Sequence, residues 1–155
     1  MMPTRRLLIA SLPLLPLAAL CPAAVAQNRQ VWSAQGAYRA VAAGEALLLD
    51  IRSRPEWRQT GVGQGAWPVS MHEPRFPPRL LAAHKLAGGR PVALICATGG
   101  RTASVMRALR QAGYSGYVDV SEGMFGSAAG PGWIAAGLPV VAMDQALSAL
   151  PQALL

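Results

Sequence analysis

The chain has 155 residues, of which 52% are hydrophobic and 14% charged, and its formal net charge is +7. That length and apolar content suit one domain with a real core and exclude an intrinsically disordered chain. The arginines are scattered rather than bunched, and no basic run interleaved with aromatics suggests a nucleic-acid surface.

The first 26 residues read as a targeting segment. Arg5 and Arg6 form a basic start, Leu7 to Leu20 form an apolar stretch interrupted by Pro13 and Pro16, and Ala24-Val25-Ala26 forms a small-residue cleavage site before Gln27. The stretch is too short and too proline-rich for a retained membrane span. Arg5-Arg6 leaves general secretion and twin-arginine export both open. Leu20 before Cys21 is too bulky for a lipoprotein processing site. Export predicts a periplasmic or secreted protein with no stable membrane insertion after cleavage. The leader holds two of the fourteen basic residues and none of the seven acidic ones, which leaves +5 on Gln27 to Leu155. A moderately basic exported domain suits small anionic substrates better than nucleic acid.

The remaining chain alternates between strand and helix patterns. Ser33 is placed to cap a helix through Ala43, closed by Gly44. Ala46 to Ile51 is a strand without polar alternation, as in a parallel sheet. Pro55 suits the first turn of a short helix to about Thr60. Gly61, Gly63 and Gly65 predict a loop, and Ala66 to Ser70 predicts another short strand. A helix follows from about Arg79 to Leu86, closed by Gly88-Gly89. Pro91 to Ile95 is an apolar strand, and Thr102 is expected to cap a helix with Val105, Met106, Leu109 and Ala112 at helical spacing. Gly113 ends that helix as a left-handed cap. Tyr117 to Val120 is a further strand, and a glycine-rich stretch leads to Trp133. Met143 to Leu155 reads as a short amphipathic tail helix. The whole predicts a single α/β domain over residues 27–142, with a mostly parallel central sheet flanked by helices.

The chemistry concentrates at Cys96-Ala97-Thr98-Gly99-Gly100-Arg101-Thr102. A strand that delivers a cysteine to a helix N-terminus points backbone N–H groups and the positive end of the helix dipole at the sulfur. Both favour the thiolate, which is the nucleophile. With Cys21 in the leader, Cys96 is the only cysteine of the mature chain, so it has neither a disulfide partner nor an internal resolving thiol. His72 and His84 are distant from the loop in sequence and are expected to have ordinary surface or loop roles. Trp57 and Trp133 are expected to be packing aromatics. Asp50 and Arg52, at and beyond the end of a strand, are expected to support the site structurally, with Arg52 able to pair with Glu56 or to cap a neighbouring helix.

These residues, in this order, resemble a single-domain rhodanese, a sulfurtransferase module. Leu48-Leu49-Asp50-Ile51-Arg52 resembles the family's strand ending in Asp-x-Arg, and Glu56-Trp57 with Gly65-Ala66 resembles its acidic–aromatic pair and Gly-Ala turn. Cys96 to Thr102 is similar to the loop C-x-x-G-x-R-[ST]. Gly123-Met124, Trp133 and Gly137-Leu138-Pro139-Val140 resemble the closing segment. The resemblance implies a rhodanese-like three-layer fold and a ping-pong sulfur transfer through a Cys96 persulfide. Ala97, Thr98, Gly99, Gly100, Arg101 and Thr102 would bind the sulfur species, with Arg101 supplying a fixed charge. It implies no metal and no organic cofactor. Partners would be small sulfur-containing anions or persulfides as donors, and cyanide, a thiol or a protein as acceptor.

The chain departs from the family where many members carry a His before the Gly-Ala turn, and Ala97 and Thr98 are neutral where thiosulfate-preferring members carry a basic residue. A persulfide or polysulfide donor therefore stays open beside thiosulfate. A non-catalytic carrier or protein-binding module is the alternative reading. A phosphatase or arsenate reductase is disfavoured, because four residues rather than five separate Cys96 from Arg101 and no acid lies in the loop.

Overall fold

The computed structural model describes residues 31–155, so the leader, its cleavage site and Cys21 lie outside the described residues. A parallel five-stranded sheet forms the centre. Its strands, in chain order, are β1 (Val31–Trp32), β2 (Leu47–Asp50), β4 (Ala66–Pro68), β5 (Val92–Ile95) and β6 (Tyr117–Val120), arranged β1-β6-β5-β2-β4. The run Leu47–Asp50 pairs with Val92–Ile95 on one side and with Ala66–Pro68 on the other. Both faces of these strands are covered, which is why they carry uninterrupted apolar runs rather than alternation.

Successive side chains go to opposite faces, and each face has its own helical layer. On one side Leu49, Ile51, Leu94, Cys96 and Tyr117 pack against α3 (Phe76–Ala87) and α4 (Gly100–Gln111), with Leu154 joining them. On the other, Leu48, Ala93, Ile95, Val118 and Val120 meet Ala34 and Ala37 of α1 (Ala34–Ala42) and Trp57 of α2 (Arg54–Thr60). Trp133 of α5 (Gly132–Ala135) and Ala146 of α6 (Met143–Ser148) complete that layer. Trp57 and Trp133 are buried packing aromatics. Helix α6 contacts β4 and α2, and the 3₁₀ turn Gln152–Leu154 contacts α3, so residues 143–155 lie against the domain. No helix among the described residues is long and apolar enough to cross a membrane.

Local chemistry accounts for most element ends. Ser33 caps α1 by accepting from the Gly36 amide at 3.0 Å. Helix α3 begins at Phe76, three residues before the expected Arg79, because Pro77 and Pro78 sit in a first turn whose amides need no helical partner. The expected loop at Gly61 to Gly65 contains β3 (Val62–Gly63), which pairs antiparallel with β7 (Val140–Val141). These two-residue strands, like β1, are too short to show periodicity and exist through their tertiary partners.

The Asp50–Arg52 pair closes the C-terminal end of β2. Both side chains are fully buried; Arg52 donates to Asp50 Oδ2 from Nη2 at 2.7 Å and to Oδ1 from Nε at 3.0 Å. Its remaining reach goes to Thr60 Oγ1 at 2.9 Å and the Gly61 carbonyl at 2.8 Å, which ties the end of α2 to the sheet. Arg52 therefore does not pair with Glu56. Removing one member of a buried pair leaves an uncompensated charge, so Asp50→Ala should destabilise the domain by about 3–5 kcal/mol in urea unfolding at neutral pH.

Candidate active site

Strand β5 ends at Ile95, and its neighbours carry the chain beyond it into a tightly held loop. The Ile51 amide donates to the Ile95 carbonyl at 2.9 Å, the Met124 amide to the Cys96 carbonyl at 2.8 Å, and the Phe125 amide to the Ala97 carbonyl at 2.9 Å. Two glycines make this closeness possible. Gly99 has φ +82°, and a Cβ there would lie 2.1 Å from the Ser121 carbonyl oxygen. Gly123 has φ +67°, and its Cβ would meet the Ala97 carbonyl at 2.5 Å. Only a residue without Cβ satisfies both the left-handed backbone and the contact.

Cys96 is the free cysteine of the described residues, and it is buried at the C-terminal edge of the sheet. Helix α4 starts at Gly100 with Gly99 as its N-cap, not at Thr102 as the sequence suggests. Thr102 is instead a first-turn residue, fully buried, whose hydroxyl donates to the Gly99 carbonyl at 2.8 Å. The Cys96 Sγ lies 3.8 Å from that hydroxyl oxygen. The first N–H groups of α4 have no carbonyl four residues back within the helix, so they remain available to an anion at the sulfur.

Arg101 leaves the loop and reaches α2. It donates to Glu56 Oε2 from Nη1 at 2.9 Å and to Oε1 from Nη2 at 2.5 Å. The same carboxylate accepts from the Ser53 amide at 2.9 Å and from the Ser53 hydroxyl at 2.6 Å, so one Glu caps α2 and holds the loop arginine. The Arg101 guanidinium beside Glu56 is the main reason the carboxyl is lowered to about 2, opposed by burial and assisted by Ser53. Arg101 is in turn held above its ordinary value, mainly by the Glu56 hydrogen bond and also by Cys96. The fixed charge expected near the sulfur is present, but it is already paired across the site.

The fold gathers residues that sequence spacing keeps apart. His72, expected to be an ordinary loop residue, places Nε2 3.3 Å from Arg101 Nη1. His84 is elsewhere, stacked on Tyr117 with ring centroids 5.0 Å apart. Phe125, half-exposed beside the loop, lies with its ring 6.0 Å from the Arg52 guanidinium carbon. Asp50 and Arg52 sit one strand over from Cys96, in register with Ile95 and just beyond it, and their polar groups face each other and α2. The Ser53-x-x-Glu56 spacing signals the capping box in sequence; nothing local signals His72.

Compared with known proteins, residues 33–129 match the rhodanese-like domain, which spans both Asp50–Arg52 and the Cys96 loop. The chain therefore belongs to the rhodanese-like family, a family of sulfurtransferase modules. Its structure is similar to the crystal structure of Rv0390 from M. tuberculosis, with 25% sequence identity, 70% of this chain and 94% of that chain covered, and a TM-score of 0.48. No curated protein matches the sequence. Among the described residues, no group of three or more His, Cys, Asp or Glu is placed to hold a metal ion.

Glu56 provides a pH test of how the loop is held. Its depressed pKa contributes stability that is fully present above about pH 4.5 and is lost as the pH falls through about 2. Glu56→Gln should therefore lower the melting temperature at neutral pH, and the difference from wild type should close towards about pH 2 when melts are compared along the acid range.

Proposed function

We propose that the protein is a catalytic sulfurtransferase in which Cys96 carries sulfane sulfur. The observation that carries this reading is Cys96, the free cysteine among the described residues, set before the N-terminus of α4 with its Sγ 3.8 Å from the first-turn hydroxyl of Thr102. The Cys96 thiolate attacks the outer sulfur of a donor. With thiosulfate, the S–S bond of the donor breaks, sulfite leaves with the bonding pair, and Cys96 becomes a persulfide. With a persulfide or polysulfide donor, the leaving group is the shortened thiolate or polysulfide. A thiophilic acceptor such as cyanide or a thiol then takes the outer sulfur and returns Cys96 to the thiolate. The α4 dipole favours negative charge on the sulfur in both states. The neutral side chains of Ala97 and Thr98 add no positive charge for a dianion, which supports a persulfide or polysulfide donor beside thiosulfate.

A small sulfur-containing anion as substrate also accords with an exported, moderately basic domain. The basic start, short apolar stretch and Ala24-Val25-Ala26 support processing before Gln27. Amino-terminal sequencing of the protein recovered from the extracytoplasmic fraction should begin at Gln27; recovery with Met1 in the cytoplasm overturns the export reading.

The sulfur cycle is tested by intact mass. The purified protein should gain one sulfur atom with thiosulfate, polysulfide or a low-molecular-weight persulfide, and lose it to cyanide. Cys96→Ser should stay folded by circular dichroism and gain none. A folded Cys96→Ser protein that still transfers sulfur overturns the nucleophile, and no gain by the wild type from any donor favours a carrier or binding module.

A further inference from the structure

A guanidinium has five N–H donors and no acceptor, so its partners define which of its edges stay free. In Arg101 the far end is taken by Glu56: Nη1 donates to Oε2 at 2.9 Å and Nη2 to Oε1 at 2.5 Å. Nη1 has a second proton, and His72 Nε2 lies 3.3 Å from that nitrogen. Because the arginine can only donate, this contact makes Nε2 the acceptor and puts the imidazole proton on Nδ1. Nε–H and the second Nη2–H lie side by side along the remaining edge, and they donate to nothing among the described residues. Arg52 shows what that edge does when an anion reaches it, since its Nε and Nη2 hold the Asp50 carboxylate as a fork at 3.0 and 2.7 Å.

The open edge belongs to a residue beside the sulfur. Arg101 precedes Thr102, whose hydroxyl oxygen is 3.8 Å from Cys96 Sγ, and Cys96 helps Glu56, the larger influence, to hold the arginine above its ordinary pKa. His72 in turn is presented by a turn that is held from several sides. The Met71 amide donates to the Ile51 carbonyl at 3.1 Å, and the His72 amide donates to the hydroxyl of buried Ser70 at 3.2 Å. The Glu73 carboxylate is occupied by Arg54 of α2 at 2.9 Å and by Arg79 of α3 at 2.5 Å. A short turn pinned to the end of β2, to α2 and to α3 thus carries an imidazole to the arginine of α4.

We propose that His72 is a positioning residue: by accepting the outer Nη1 proton of Arg101 it fixes the guanidinium plane, and the Nε–Nη2 edge stays open as a fork for the anionic end of a molecule whose reacting atom is at Cys96. Glu56 grips one end of the guanidinium only, and the contact on the Nη1 side resists rotation about that end. Two parallel N–H donors match two oxygens of a sulfonate or a carboxylate. Glu56 already balances the charge of Arg101, so the fork supplies direction rather than net charge. The inference rests on Cys96 as the reactive sulfur, as in the proposed function, but not on sulfur being transferred.

Alkylation of Cys96 by iodoacetate and by iodoacetamide tests it, since the first reagent carries a carboxylate and the second does not. The ratio of their rate constants, followed by intact mass at one fixed pH, reads the fork whether or not the protein transfers sulfur. His72→Leu, at an exposed position, should lower the iodoacetate rate about three- to tenfold, the worth of one hydrogen bond, and leave the iodoacetamide rate within about twofold. His72→Gln, whose side-chain carbonyl can accept the same proton, should restore the ratio. In sulfur transfer from thiosulfate, the leucine variant should raise KM and keep kcat. An unchanged ratio in His72→Leu, an equal loss with both reagents, a glutamine variant that behaves as the leucine one, or a loss confined to kcat overturns the proposal. A wild-type sulfur closed to both reagents overturns it too, because the fork then serves no anion there. The expected ratios in a protein that takes sulfur from no donor remove the sulfurtransferase reading and leave this one standing.

Discussion

The closeness of two backbone segments at the edge of the sheet underlies the whole site. Gly99 presses against the Ser121 carbonyl and Gly123 against Ala97, at distances that leave no room for a side-chain carbon. The hydrogen bonds from Met124 and Phe125 to Cys96 and Ala97 lock the same two segments together. Because β5 and β6 are parallel neighbours, both chains leave the sheet at the same edge, and the loop after β5 is supported by the loop after β6. That support is what lets a short loop turn a strand into a helix with a cysteine at the junction.

Electrostatics then follows from position. Two ion pairs brace the edge, and they differ in kind. Asp50–Arg52 is fully buried and ties β2 to the end of α2 through Thr60 and Gly61. Arg101–Glu56 is partly exposed and joins the Cys96 loop to the start of α2. Both pairs act on the same seven-residue helix, one at each end. A pair in contact with water contributes less to stability than its geometry suggests. Its weight here lies in holding Arg101 beside Cys96 while neutralising much of its charge. The sulfur therefore faces the dipole and amides of α4 more than a free cation.

A helix that covers a sheet end also hides polar groups beneath it. Thr102 faces inward because α4 begins at Gly100, and that start follows from the left-handed Gly99. With Thr102 inside, its hydroxyl donates to the Gly99 carbonyl and its oxygen faces the Cys96 sulfur at 3.8 Å. The arrangement puts that hydroxyl under the loop, out of solvent, while His72 stands beside Arg101.

The alternation of apolar runs with helical spacing over Leu47 to Val120 was enough to specify a parallel sheet with helices on both faces, and Cys96 to Thr102 was enough to mark the loop between β5 and α4. Those signals are local: a hydrophobic period, a glycine that must turn left, a proline in a first turn. Strands β1, β3 and β7 were not legible, because two-residue strands have no period of their own and form only when a partner is brought alongside. The true start of α4 was hidden for a related reason: Thr102 is a good capping residue, yet the contact between Gly99 and Ser121 decides where the helix begins. Glu56 was visible as half of a family motif, but its pairing with Arg101 spans 45 residues of sequence. His72 reaches the site from a segment far from the loop in sequence. Sequence by itself determined the fold class and marked the cysteine loop, since both are encoded in short-range pattern and residue chemistry. Tertiary structure alone decided which charges and hydroxyls surround that cysteine, because those partners meet only when parallel strands end at a common edge.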